Sequence, residues 1–229
     1  MKRLVIVGKD STIKPISDEL RREGFVVQAA LDGVRGLAKL KRTVPDLLVV
    51  ELALPEVSGK HICRHVREDD LLSQLPIVVL TSACRDSEVL AGLEMGADAC
   101  ITTPVTVREL VARIQSLLWR ADKPPQRDLV LKHGSLVIDP GSYRVSYLGE
   151  PVTISLLEFR LLYFLASHPD SVFSREELLR AVWNSEHVDR RSVDVCVRRL
   201  RSKFEKDPRN PLVLRTLRGS GYMLVASDI

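Results

Sequence analysis

The chain is predicted to be an α/β protein of two domains, a flavodoxin-like, doubly wound parallel (βα)5 sheet followed by a smaller domain of antiparallel strands, helices and a terminal hairpin. Three observations predict it. In the first half, short aliphatic runs alternate five times with amphipathic helical patterns, which implies a parallel sheet covered by helices on both faces. Near the middle, a stretch containing Pro124-Pro125 has no apolar periodicity and reads as a linker. In the second half, the strand patterns come first and three helical patterns follow. The boundaries are residues 1–121, a linker at 122–127, and residues 128–229.

In order, the strand patterns of the first domain fall at residues 4–7, 26–30, 47–50, 77–80 and 99–102. The helical patterns fall at 13–23, 34–42, 59–68, 87–95 and 107–119. Right-handed crossovers favour the doubly wound arrangement, whose site lies at the C-terminal strand ends. In the second domain, strands are predicted at 129–131, 135–138, 144–147 and 152–154, separated by the turn signals Asp139-Pro140-Gly141 and Leu148-Gly149. Ser155-Leu156-Leu157-Glu158 and Ser174-Arg175-Glu176-Glu177 match capping boxes and open two helices. A third helix spans 190–205, and a hairpin at 213–217 and 222–225 flanks Arg218-Gly219-Ser220-Gly221.

Hydrophobic residues make up 45% of the chain and charged residues 28%, as in an ordinary soluble domain. No apolar run approaches the roughly 18 residues that would cross a bilayer, and the run after Met1-Lys2-Arg3 is too short for a signal peptide, so a cytoplasmic protein is expected. The cysteines Cys63, Cys84, Cys100 and Cys196 are scattered and are expected to be free thiols. His61 and His65 flank Cys63 on a predicted helix, but a solvated face explains them without a metal. Trp119 and Trp183 are expected to pack. No nucleophile–base pair or phosphate-binding Gly loop is present, so an enzyme is not expected.

The net charge is only +4, but residues 190–218 carry ten basic residues against three acids, so the rest of the chain is net negative. Such a patch suggests a polyanionic partner. On the third helix, Val193, Val197, Leu200 and Phe204 make a core stripe, while Arg191, Val195, Arg198 and Arg199 project oppositely, with Asp194 and Arg201 at the margins. A helix fits the major groove, where arginine pairs with guanine or binds phosphate. Aromatic residues do not interleave with the basic ones, which disfavours a single-strand stacking surface. Arg218 at a glycine-bounded hairpin tip suits the minor groove.

The run Arg191-Ser192-Val193-Asp194-Val195 with Arg198-Arg199-Leu200-Arg201, followed by Arg215-Thr216-Leu217-Arg218-Gly219-Ser220-Gly221-Tyr222, resembles the winged-helix effector of OmpR/PhoB-type response regulators. The two capped helices look like that effector's first two. The first half resembles the receiver, through Pro45-Asp46-Leu47, Leu54-Pro55, Leu80-Thr81-Ser82-Ala83 and Gly96-Ala97-Asp98. The resemblance implies a winged helix-turn-helix transcription factor that binds direct repeats of double-stranded DNA as a dimer. It places Arg199, Arg198 and Asp194 at the bases, Arg191, Ser192 and Arg201 at backbone or bases, Arg218 in the wing, and Arg215 and Thr216 on the wing strand. It admits RNA polymerase as a further partner; no membrane partner is implied.

A working receiver carries two acids after the first strand for Mg²⁺, an acceptor Asp after the third, Thr or Ser after the fourth and Lys after the fifth, because the metal needs hard oxygens and the phosphoryl group needs neutralised charge. Here Gly8 and Lys9 occupy the acidic positions, Glu51 the acceptor position and Thr103 the lysine position; Thr81 is retained, and Cys100 stands at the aromatic switch position. Mg²⁺ binding is therefore not expected, although Asp10 lies one place along, and a cognate histidine kinase is doubtful. The expected replacement is either a permanent Lys9–Glu51 ion pair or a decayed structural pocket. Two other readings stay open: phosphorylation on Glu51 or another carboxylate, and a domain controlled by a small-molecule or protein ligand. On the dimer face implied by the resemblance, Glu109 and Arg113 lose their partners to Val89 and Ala99, leaving Asp98–Arg120, yet a constitutive homodimer through this domain is expected.

Overall fold

The structure, a computed structural model, describes residues 1–82, 86–122, 129–183 and 190–226. The chain forms two compact units, Met1–Asp122 and Lys123–Ile229.

The first unit runs β1 (Arg3–Val7), α1 (Asp10–Arg22), β2 (Val26–Ala30), α2 (Gly33–Arg42), β3 (Leu47–Glu51), α3 (Gly59–Glu68), β4 (Ile77–Thr81), α4 (Asp86–Glu94), β5 (Ala99–Thr102) and α5 (Val107–Asp122). Its sheet is parallel throughout, in the order β2-β1-β3-β4-β5. Alternate strand residues go to opposite faces. Leu4, Ile6, Leu47, Val49, Val78 and Leu80 pack with α1 and α5, whereas Val5, Val7, Leu48, Val50, Ile77 and Val79 pack with α2 and α3. Continuous aliphatic runs are what a sheet buried on both sides requires. The chain leaves β1 towards β2 and later crosses to β3, so the order reverses between β1 and β3, and a crevice opens at their C-terminal ends. α1 begins three residues before its apolar periodicity, because Asp10-Ser11-Thr12 form a polar first turn that an apolar pattern does not register.

The second unit runs β6 (Leu131–His133), β7 (Leu136–Asp139), β8 (Arg144–Tyr147), β9 (Glu150–Pro151), α6 (Leu156–Ala166), α7 (Arg175–Leu178), α8 (Arg191–Phe204), β10 (Leu214–Leu217) and β11 (Gly221–Leu224). α7 continues into a π-helical turn, Leu179–Trp183, which places Trp183 in the core at 1% exposure. β6 to β9 form an antiparallel meander, and β10–β11 a separate hairpin. The fourth strand is not at 152–154. Leu148 and Gly149 both have positive φ, the two-residue turn that pairs Tyr147 with Glu150, so the strand resumes at once as Glu150–Pro151, with Val152 N–H donating to the Val145 carbonyl at 2.8 Å just beyond it. Both capping boxes form, with Ser155 and Ser174 each accepting from the third helical N–H while Glu158 and Glu177 reach back. One core joins the meander to α6, α7, α8 and the hairpin, through Leu136, Phe159, Leu162, Trp183, Val197 and Leu214.

Candidate nucleic-acid interface

α8 keeps its predicted core stripe: Val193, Val197, Leu200 and Phe204 are buried. Its buried arc is wider than the stripe, however. Val195 is 4% exposed and Ser192 is 6% exposed, so neither lies on an outward face, contrary to the expectation for both. Arg191 and Arg198, seven residues apart on one side, are exposed, with Asp194 between them.

Arg199 is turned inward, which corrects its expected place at the bases. Its side chain is 14% exposed, with Nε 2.7 Å from Glu158 Oε1 and Nη2 donating to Ser155 Oγ at 3.4 Å. Lys203, one turn on, donates from Nζ to Glu158 Oε2 at 2.8 Å and to the Thr153 carbonyl at 2.7 Å. Glu158 is fully buried at the N-terminus of α6. Burial alone would raise its pKa, but the Arg199 and Lys203 charges hold it below the usual carboxylate value. A buried carboxylate needs such partners. The flank of α8 bearing residues 199 and 203 therefore directs both charges to the N-terminus of α6, with Lys203 still partly in solvent.

The other side of α8 is tied to the hairpin. Arg201 donates from Nε to the Leu214 carbonyl at 2.8 Å and from Nη2 to Thr216 Oγ1 at 2.7 Å, so neither residue is a simple outward contact. Asp194 Oδ1 accepts from Arg175 Nε and from the Tyr222 hydroxyl, each at 2.7 Å. Burial, then Asp194, pushes the Tyr222 phenol up to about 12, so the phenol keeps its proton in this bond. Sequence assigned no role to Arg175, Tyr222 or Glu205, and only a capping role to Glu158. Glu205, capping α8, accepts from the N–H groups of Leu212, Val213 and Leu214 and fixes the entry to β10.

At the tip, Ser220 N–H closes a turn on the Leu217 carbonyl, with Gly219 at positive φ, and Arg215 and Arg218 are exposed. Gly221 lies where β11 bridges Phe173, and a Cβ there would run into the Phe173 carbonyl. Its φ of 149° is also one that side chains avoid. Gly221→Ala should cost about 2–4 kcal/mol. Urea unfolding followed by tryptophan fluorescence would show the loss, and an unchanged midpoint would refute this account of wing docking.

In the first unit, Gly8, Glu51, Thr81 and Thr103 converge at the crevice. Glu51 Oε2 accepts from the Lys9 backbone N–H at 2.8 Å. The expected Lys9–Glu51 ion pair does not form: the Lys9 side chain is exposed, and no ion pair joins the two among the described residues. Lys9 is the N-cap of α1 and its side chain caps nothing, so the carboxylate finds a backbone donor at the positive end of a helix. Gly8 complements this placement, since a Cβ there would stand 3.1 Å from Glu51 Oε2 and 3.3 Å from its Cβ. Thr103 donates from Oγ1 to the Thr81 carbonyl at 3.2 Å, and Thr81 is buried. Asp10 is exposed as the first residue of α1.

Three of the expected dimer-face residues, Asp98, Glu109 and Arg113, are engaged within the chain. Asp98 is 3% exposed and accepts on Oδ2 from Arg67 Nη2 at 2.8 Å and Ile77 N at 2.7 Å, and the expected Asp98–Arg120 pair falls on a side chain outside the described residues. Glu109 and Arg113 pair with each other at 2.7 Å, Val89 is half-buried, and the Arg120 side chain lies outside the described residues, as does that of Trp119. Cys63 and Cys196 are buried, Cys100 lies beneath Gly92, and Cys84 lies outside the described residues. His61 is exposed and His65 half-buried.

Residues 4–115 match the family model described as response regulator receiver domain, and residues 149–224 that described as transcriptional regulatory protein, C terminal. The chain is 39% identical over 227 residues to sensory transduction protein RegX3 of Mycolicibacterium smegmatis, covering 96% of this chain and 97% of that one. It is 40% identical over 223 residues to the DNA-binding response regulator MtrA of Mycolicibacterium paratuberculosis, covering 96% and 97%. The chain belongs to the OmpR/PhoB family of DNA-binding response regulators. Among solved structures, a RitR mutant superposes with a TM-score of 0.80 at 26% identity, covering 98% of this chain and 99% of that one. The response regulator DrrB of Thermotoga maritima, an OmpR/PhoB homologue, shares 32% identity at a TM-score of 0.52, with coverage of 98% and 99%. In these terms α8 is the recognition helix, β10–β11 the wing, and the first unit the receiver. No described helix is long and apolar enough to cross a membrane.

Proposed function

We propose that this response regulator controls transcription in the cytoplasm without aspartyl phosphorylation, as a homodimer whose receiver-like domain pairs constitutively and whose effector binds direct repeats of double-stranded DNA. One observation carries the reading. The acceptor position holds Glu51, and its Oε2 already accepts a hydrogen bond from the Lys9 backbone at 2.8 Å. The residues present do not fit Mg²⁺. Gly8 offers no oxygen from a side chain, the nearby cation Lys9 opposes a dication, and the one inward carboxylate is turned to a helix N-terminus. At the lysine position Thr103 carries no charge to neutralise phosphoryl oxygens, and its hydroxyl is bonded to the Thr81 carbonyl. For the effector, the exposed arginines Arg191, Arg198, Arg215 and Arg218 on recognition helix and wing support a DNA face narrower than the charge run.

Phosphoramidate with Mg²⁺, followed by intact-mass measurement and light scattering, tests the proposal. The expected result is no phosphoryl adduct and a dimer mass at tens of micromolar with or without the donor. An adduct on Glu51, or a monomer that dimerises only with the donor, would refute it.

A further inference from the structure

The helix and wing are joined at one place. Thr216 and Tyr222 stand opposite each other in the hairpin register. Arg201 bonds Thr216 Oγ1, and Asp194 bonds the Tyr222 hydroxyl, so two residues of α8 hold both members of one cross-strand pair. That pair lies two residues from Arg218 on one strand and from Ser220 on the other. Asp194 and Arg201 flank Arg198 along the helix, four residues before it and three after it. The same Asp194 oxygen also takes Arg175 Nε, whose guanidinium lies 5.0 Å from the Tyr222 ring centroid, with Arg201 at 5.8 Å. The Tyr222 side chain is thus held by two guanidinium groups and one carboxylate, and its backbone bridges to Phe173 just before α7.

We propose that Asp194 is a positioning residue rather than a base reader: through Tyr222 and Arg175 it fixes the wing against the recognition helix, so that Arg198 and Arg218 reach one DNA site together. Two donors on Oδ1 fix the Asp194 carboxylate toward the wing, and a hairpin tied at its base needs no ordering when DNA arrives. The inference rests on DNA binding by the effector and is independent of the receiver reading.

The test uses the full chain and a duplex selected from random sequence by the wild-type protein. Asp194→Asn, Tyr222→Phe and the double variant are compared by affinity, hydroxyl-radical footprinting of the minor groove and dimethyl sulfate protection of guanine N7. Each single variant is expected to bind about ten-fold more weakly and the double variant less than additively, because Tyr222→Phe removes the hydroxyl that Asp194 and Arg175 share and Asp194→Asn removes the charge that holds Arg175 beside it. Minor-groove protection beside the wing should fade while N7 protection under α8 persists, and reselection should return the same sequence. A base preference changed at one position in Asp194→Asn would make it a base reader and overturn the proposal. So would wild-type footprints in both variants. If Asp194→Asn does not fold, the Tyr222→Phe footprint decides alone.

Discussion

Arg199→Ala should destabilise the effector domain by about 3 kcal/mol, with little change in which bases a folded molecule prefers. The guanidinium is 14% exposed and sits 2.7 Å from a carboxylate with no exposure at all. Removing it leaves Glu158 with Lys203 as its remaining cation, so the loss falls at the low end for breaking a buried pair. The pH dependence follows from the direction of the Glu158 shift. The folded carboxyl titrates below its usual value of 4.5, so its contribution is fully present above that pH and is lost as pH falls through the lower, folded value. In Arg199→Ala the acid transition should move to higher pH. Chemical denaturation of wild type and variant between neutral pH and about pH 3 measures both effects. A variant as stable as wild type that binds DNA weakly would return Arg199 to the groove.

Arg198→Ala should give the opposite pattern, with stability within about 0.5 kcal/mol of wild type and specific DNA affinity reduced about 10- to 100-fold. Arg198 is exposed on the face that also carries Arg191, between the two residues that grip the wing. A bidentate contact with guanine accounts for that range. A phosphate contact would instead weaken all sequences evenly and lower the salt slope by about one. Titrations against selected and scrambled duplexes at several salt concentrations separate the two. Equal loss on both duplexes would reassign Arg198 to the backbone.

The elements that announce themselves by period or by cap were legible in the sequence. The five parallel strands, the core stripe of α8 and the helix starts at Ser155 and Ser174 all form as the patterns require. What misled was the assumption that charge marks the solvent face. A helical period separates apolar from polar residues, but it does not show that the flank bearing Arg199 and Lys203 directs both charges to α6. The partner that draws them in, Glu158, reads from sequence only as a capping residue, and its burial depends on α6 being apolar on almost every side. At the receiver pocket, the opposite charges of Lys9 and Glu51 suggested an ion pair, whereas the available donor is a backbone N–H that no side-chain pattern displays. The Arg67–Asp98 bond was equally hidden, since Arg67 lies thirty-one residues away and reaches Asp98 only through the fold.

The central claim is that DNA binding by this regulator does not wait on a phosphoryl group at Glu51. Fluorescence anisotropy of a selected duplex, titrated with the full chain with and without phosphoramidate and Mg²⁺, tests it most directly. Superimposable curves are predicted, whereas tighter binding in the presence of the donor, abolished by Glu51→Gln, would contradict it.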